Sequence, residues 1–166
     1  MVNIGALGAS DSRFESECPE NWYKGQRSFS PSLNLGTPTH WSMKNTKKIL
    51  LIEDDPFISD VYITNLKNSG FEVLLASDGE SGLNLAKQEK FDLILLDLLL
   101  PKIDGFEILK NIKGETTLKN VPVIILTNLG EKENIEKGKR LGAVDYLVKI
   151  NFTPKEVIEK LNTYLK

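Results

Sequence analysis

Residues 91–105 read FDLILLDLLLPKIDG, and one position within them is out of keeping with its neighbours. Seven aliphatic side chains fill Leu93–Leu100, and Asp97 alone interrupts them. A short aliphatic run closed by turn residues (Pro101, Gly105) reads as a strand buried on both faces, as in the middle of a parallel sheet. A carboxylate is costly to withdraw from water unless it is paired, hydrogen-bonded or bound to a cation. Asp97 therefore needs a physical reason to stand where it does.

Outward from this strand (92–98) the chain alternates regularly. KILLIE (48–53) and FEVLLA (71–76) precede it as strands, and VPVIILT (121–127) and VDYLVK (144–149) follow it. Between them lie helical stretches. DPFISDVYITNLKNSG has Asp55 as a cap, Pro56 in its first turn and Gly70 as its stop. The others span 78–89, the stretch after Gly105 to about Lys113, and a polar segment at 131–141. The last helix opens on a capping box from Thr153 to Glu156 and carries Val157, Ile158, Leu161 and Leu165 on one face. Strand–helix alternation repeated in this way predicts an α/β domain, a doubly wound five-stranded parallel sheet with helices on both faces.

In such folds ligands bind beyond the carboxyl ends of the strands. The polar residues expected there are Glu53, Asp54 and Asp55 at the end of the first strand, Asp97 at the end of the third, Thr127 and Asn128 at the end of the fourth, and Lys149 at the end of the fifth. Crowded carboxylates must protonate or share a cation, and hard oxygen ligands suit Mg²⁺. Such a site suits a phosphoryl group on Asp97, with the metal and Lys149 neutralising its oxygens and Thr127 donating a hydrogen bond. Taken singly, Asp54 or Asp55 is a helix cap, Thr127 a β-former and Lys149 a solvated charge. Their occurrence together at four strand ends points to a functional site.

Composition bounds the rest. A net charge of −2 argues against general binding to nucleic acid or anionic membranes. The lone cysteine, Cys18, forms no internal disulfide, which fits a reducing cytoplasm. Neither a signal peptide nor a membrane-length apolar run is present, so a cytoplasmic protein without membrane insertion is expected. Residues 1–46 are poor in Val, Ile and Leu and are expected to be a disordered or poorly ordered tail, with residues 47–166 forming the domain. Met43 is the alternative start. The tail's aromatics (Phe14, Trp22, Tyr23, Phe29, Trp41) could form a partner motif, a dispensable tail being the simpler reading, and His40 stands alone.

The segment Lys48–Lys166 resembles a response-regulator receiver domain of two-component signalling, a flavodoxin-like fold. LLIEDDP, DLILLDLLLPKIDGFEIL, VPVIILT and GAVDYLVK carry the likeness, in that order, with 43 residues from Asp54 to Asp97, 30 to Thr127 and 22 to Lys149. The resemblance implies a phosphoacceptor in Asp97 and a Mg²⁺ site from Asp54 directly, Glu53 through water, Asp97, and the backbone carbonyl of Leu99. It implies a switch hydroxyl in Thr127, a rotating aromatic in Tyr146 and a phosphate-binding ammonium in Lys149. The implied donor is a sensor histidine kinase or histidine phosphotransfer protein. Phosphorylation would draw in Thr127, let Tyr146 turn inward and remodel the face of the fourth helix, fifth strand and fifth helix for a downstream protein.

Three departures stand out. Lys149 is followed by Ile150-Asn151-Phe152, where the family usually has Pro, so an ordinary trans connection and a slightly altered lysine position are expected. Asn128 follows the switch threonine where a small residue is usual, and could crowd Asp97. Leu99 and Leu129 are apolar where polar side chains can position attacking water, so a long-lived aspartyl phosphate is expected. With the sequence ending at Lys166, directly after the fifth helix, a single-domain regulator or phosphorelay intermediate without a DNA-binding output domain is expected. The alternative is a phosphorylation-independent, receiver-like interaction adaptor. An aspartate-nucleophile phosphatase is disfavoured because Leu99 stands where its second aspartate belongs, and no P-loop pattern is present.

Overall fold

The computed structural model describes residues 46–165. The tail expected before them, with Met43, His40 and its aromatics, lies outside the described residues. Five strands form one parallel sheet: β1 (Lys48–Ile52), β2 (Glu72–Ala76), β3 (Leu93–Leu96), β4 (Val123–Thr127) and β5 (Asp145–Val148), in the order β2-β1-β3-β4-β5. Five α-helices connect and complete it: α1 (Pro56–Asn68), α2 (Gly79–Gln88), α3 (Gly105–Gly114), α4 (Lys132–Arg140) and α5 (Pro154–Tyr164). The expected doubly wound sheet is the one observed.

Alternation along each strand builds two cores. Ile49, Leu51, Leu93, Leu95, Ile124, Leu126 and Leu147 face Tyr62 and Leu66 of α1 and Val157, Ile158 and Leu161 of α5. Leu50, Ile52, Ile94, Leu96, Val123, Ile125 and Val148 face the other way, onto α2, α3 and the β5 side chain Tyr146. Every residue of β3 is buried, which is why its sequence shows no polar alternation.

Helix ends follow their capping residues. The Asp55 carboxylate accepts from the backbone N–H groups of Phe57 (2.8 Å) and Ile58 (3.1 Å), with Pro56 at the first helical position. Past the end of α1, Gly70 takes a φ of +89°, a conformation that disfavours any Cβ. The capping box of α5 is complete: Thr153 N–H donates to Glu156 Oε2 (2.7 Å) and Glu156 N–H to Thr153 Oγ1 (3.3 Å).

The strands are shorter than the sequence suggests, and the difference bears on the site. Glu53, Asp97 and Lys149 each lie one residue past the end of β1, β3 and β5. The first two are still tied to the sheet, Glu53 N–H donating to the Ala76 carbonyl and Asp97 N–H to that of Ile52, each at 3.0 Å. Lys149 instead opens a 3-10 turn, Lys149–Asn151, in the segment that lacks the expected proline.

Candidate functional site

Three carboxylates meet at the carboxyl edge of the sheet. One oxygen from each of Glu53, Asp54 and Asp97 lies within 4.8 Å of the others. Glu53 is 2% exposed and Asp97 5%, while Asp54 is exposed. Asp97 is thus buried, in the crevice where the acidic cluster meets. Burial is tolerable because the carboxylate is fully engaged. Leu99 N–H donates to Oδ1 (3.0 Å) and the Lys149 ammonium to Oδ2 (2.6 Å).

Lys149 also donates to Glu53 Oε2 at 2.5 Å, an ion pair that the sequence did not suggest. Burial pushes the Glu53 carboxyl above its usual range, against the pull of Lys149. The same burial works to lower the lysine. The hydrogen bonds that the ammonium donates to Asp97 and Glu53 outweigh it and hold the lysine above its ordinary value. Lys149 is therefore a fixed positive charge. Formally, three carboxylates against one ammonium leave two negative charges, a donor set of hard oxygens that fits one divalent cation such as Mg²⁺.

Thr127 ends β4 and is fully buried. Its hydroxyl accepts a long hydrogen bond (3.5 Å) from Leu129 N–H. On β5, the Tyr146 ring lies inward, 8% exposed, and its hydroxyl donates to the Leu129 carbonyl at 2.7 Å. The Leu129 peptide therefore hangs between the expected switch residues. Burial, reinforced by the charges of Glu131 and Asp97, pushes the Tyr146 phenol up to about 12. Asp55 caps α1 as expected.

Asn128 is exposed, and no hydrogen bond joins it to Asp97 among the described residues. It lines a cavity of about 320 Å³ with Ile58, Val61, Tyr62, Lys149 and the start of α5. Tyr62 was missed by sequence reasoning. It is buried, and the charges of Lys149, Glu53 and Asp97 all act on its phenol. At helical spacing from Ile58 and Leu66 it reads only as core. Leu99, at the rim, is half-exposed.

A doubly wound parallel sheet with an acidic, lysine-closed crevice at its carboxyl edge defines the class, and comparison with known proteins supplies the family. The family model for the response regulator receiver domain matches residues 49–162. The DNA-binding dual master transcriptional regulator RpaA of Synechocystis is 40% identical over 119 residues, covering 72% of this chain and 49% of that protein. PhoP of Bacillus subtilis, an alkaline phosphatase synthesis transcriptional regulatory protein, is 40% identical over 120 residues, with the same coverage. Among solved structures, the chemotaxis response regulator CheY4 of Vibrio cholerae superposes with a TM-score of 0.68 at 32% identity, over 72% of this chain and 99% of that one. The receiver domain of the Pseudomonas aeruginosa sensor histidine kinase PA1611, with magnesium coordinated in its active-site cleft, gives 0.67 at 31%, over 72% and 98%.

The chain belongs to the response-regulator receiver domain family of two-component signalling. It spans about half the length of the curated relatives it matches. Among the described residues, no helix is long and apolar enough to cross a membrane.

Proposed function

We propose that this domain is a phosphoacceptor switch: Asp97 takes a phosphoryl group from a sensor histidine kinase or histidine phosphotransfer protein, and the change is read by a downstream protein. The observation that carries this is the Asp97 carboxylate itself, buried yet oriented by Leu99 N–H and the Lys149 ammonium beside Glu53 and Asp54. Glu53, Asp54, Asp97 and the Leu99 backbone carbonyl would hold Mg²⁺, whose charge would offset that of the nucleophile and of the transferred oxygens.

Asp97 attacks phosphorus with one carboxylate oxygen. The new P–O bond forms as the bond from phosphorus to the donor's imidazole nitrogen breaks, and the electron pair leaves with that nitrogen. Lys149 keeps its proton throughout and neutralises a phosphoryl oxygen. The Thr127 hydroxyl, held only by a long bond to Leu129 N–H, is free to turn to another. Because Leu129 also binds Tyr146, a shift of that loop reaches β5 and the α4–β5–α5 face, biasing a two-state equilibrium. The Leu99 side chain brings no polar group to the rim, which supports a slowly hydrolysed phosphate.

The donor's imidazole must reach Asp97, so its surface must seat on the crevice rim. There Phe57 is 81% and Ile150 80% exposed, large apolar side chains suited to a protein partner. The net charge gives this domain no electrostatic case for binding DNA itself. An adaptor that works without phosphorylation is the second reading, favoured by the altered turn after Lys149. Intact mass after treatment with Mg²⁺ and a small phosphodonor decides between them. One phosphoryl adduct is expected on wild type and none on Asp97→Ala; no adduct on either supports the adaptor.

A further inference from the structure

Helix α4 is a poor candidate for a firmly seated element. Six of its nine residues (KENIEKGKR) are charged, and Gly138 is its one buried residue. Beside Gly138, only Ile135 and the capping residue Leu141 offer partly buried apolar contact with the core. A glycine in a helix interior also weakens the helix relative to alanine, so its presence calls for a compensating reason.

The surroundings of Gly138 supply one. A Cβ built there would lie 2.6 Å from Ile125 Cδ1, 3.0 Å from Tyr146 Cδ2 and 3.3 Å from Tyr146 Cε2. The backbone of α4 therefore rests directly on the end of the Ile125 side chain and on the edge of the Tyr146 ring. These neighbours do not yield equally. The terminal methyl of Ile125 can rotate aside. The tyrosine ring is rigid, and its hydroxyl is tied to the Leu129 carbonyl at 2.7 Å. A methyl group at position 138 is accommodated against the ring only if α4 or the ring gives by a few tenths of an ångström, a displacement that strains that bond and favours the ring's outward form.

We infer that Gly138 is a positioning residue for Tyr146: the absent side chain at 138 is what lets the phenol lie inward beneath α4, and any Cβ there shifts the population toward a ring-outward form. The inference deepens the switch reading of Tyr146 and rests on it for its functional meaning. The contact between glycine and ring stands on geometry alone. It gives the glycine a purpose that helix propensity does not, and it makes α4 and Tyr146 parts of one moving contact.

The test uses the full chain labelled with 3-fluorotyrosine and read by fluorine NMR without any phosphodonor, the Tyr146 line being assigned by its loss in Tyr146→Phe. Gly138→Ala is compared with the double variant Gly138→Ala, Ile125→Val, which shortens the nearest neighbour and leaves the ring as the main obstacle. In both, the Tyr146 line is expected to move toward its position in the urea-unfolded chain and to become more sensitive to solvent. The melting temperature of Gly138→Ala is expected to fall, although alanine is the better helix former. A Tyr146 line unmoved in both variants overturns the inference, whichever way the melting temperature shifts. If wild type takes no phosphoryl group under Mg²⁺ and phosphodonor, the phosphoacceptor reading fails, while the fluorine result still decides the role of Gly138.

Discussion

Lys149 serves two buried carboxylates at once, so its loss leaves both without a partner charge. Removing one member of a buried ionic cluster leaves uncompensated charge, which typically destabilises by about 3–5 kcal/mol. Lys149→Met is expected to lose about 3 kcal/mol at pH 7, to regain part of it at a lower pH as the Glu53 carboxyl, already raised by burial, takes up a proton, and to gain more than wild type from added Mg²⁺. Urea melts at the two pH values, with and without the metal, measure all three effects. Tyr146 sets a second pH dependence. Its folded value of about 12 lies above that of an unfolded tyrosine near 10. Between these values the unfolded chain loses the proton first, so the stabilisation is full below pH 10 and lost as pH rises toward 12. By pH 11.5 wild type should have lost about 2 kcal/mol more than Tyr146→Phe in urea unfolding. Asp97 was legible in the sequence because an aliphatic run has no use for an idle carboxylate. The Lys149–Glu53 pair was not, since 96 positions separate its members and nothing local marks them as neighbours.

The loop from β1 to α1 holds two adjacent aspartates, and the structure gives them separate work. Asp55 caps α1, whereas Asp54 joins the acidic cluster. Asp55→Ala is expected to lose about 1 kcal/mol of stability, as cap removal does, and to keep its Mg²⁺ affinity. Asp54→Ala is expected to do the reverse; thermal melts and metal titration by calorimetry separate them, and equal effects would refute the division. Capping residues, proline and glycine made these helix ends readable from the chain alone. Strand ends were harder, because a parallel ladder stops where its partner strands stop, and a residue such as Lys149 carries no mark that its backbone has left the sheet for a 3-10 turn.

At the scale of the molecule, the two cores, among the described residues, are built from side chains between Ile49 and Leu165. A chain starting at Met43 is accordingly expected to keep the melting temperature of the full chain within about 2 °C and to take up phosphoryl at the same rate, a core of this size setting stability. The fold itself was legible because four of the five strands are buried along nearly their whole length, the edge strand β2 being the exception. Aliphatic runs spaced by capped helices leave a doubly wound sheet as the only economical arrangement. The hydrogen bonds between the Leu129 backbone and Thr127 and Tyr146 were not legible, since they depend on backbone groups that every residue but proline possesses.

The reactive groups stand one residue beyond the strand ends, and this separates two kinds of evolutionary constraint. The ladder inside that boundary governs whether the chain folds, and it tolerates aliphatic exchange so long as volume is kept. The loops outside it carry the acidic crevice, on which the proposed switch depends. A lineage can therefore rewrite the rim residues Phe57, Asn128 and Ile150, acquiring new correspondents, without reopening the question of how the protein folds.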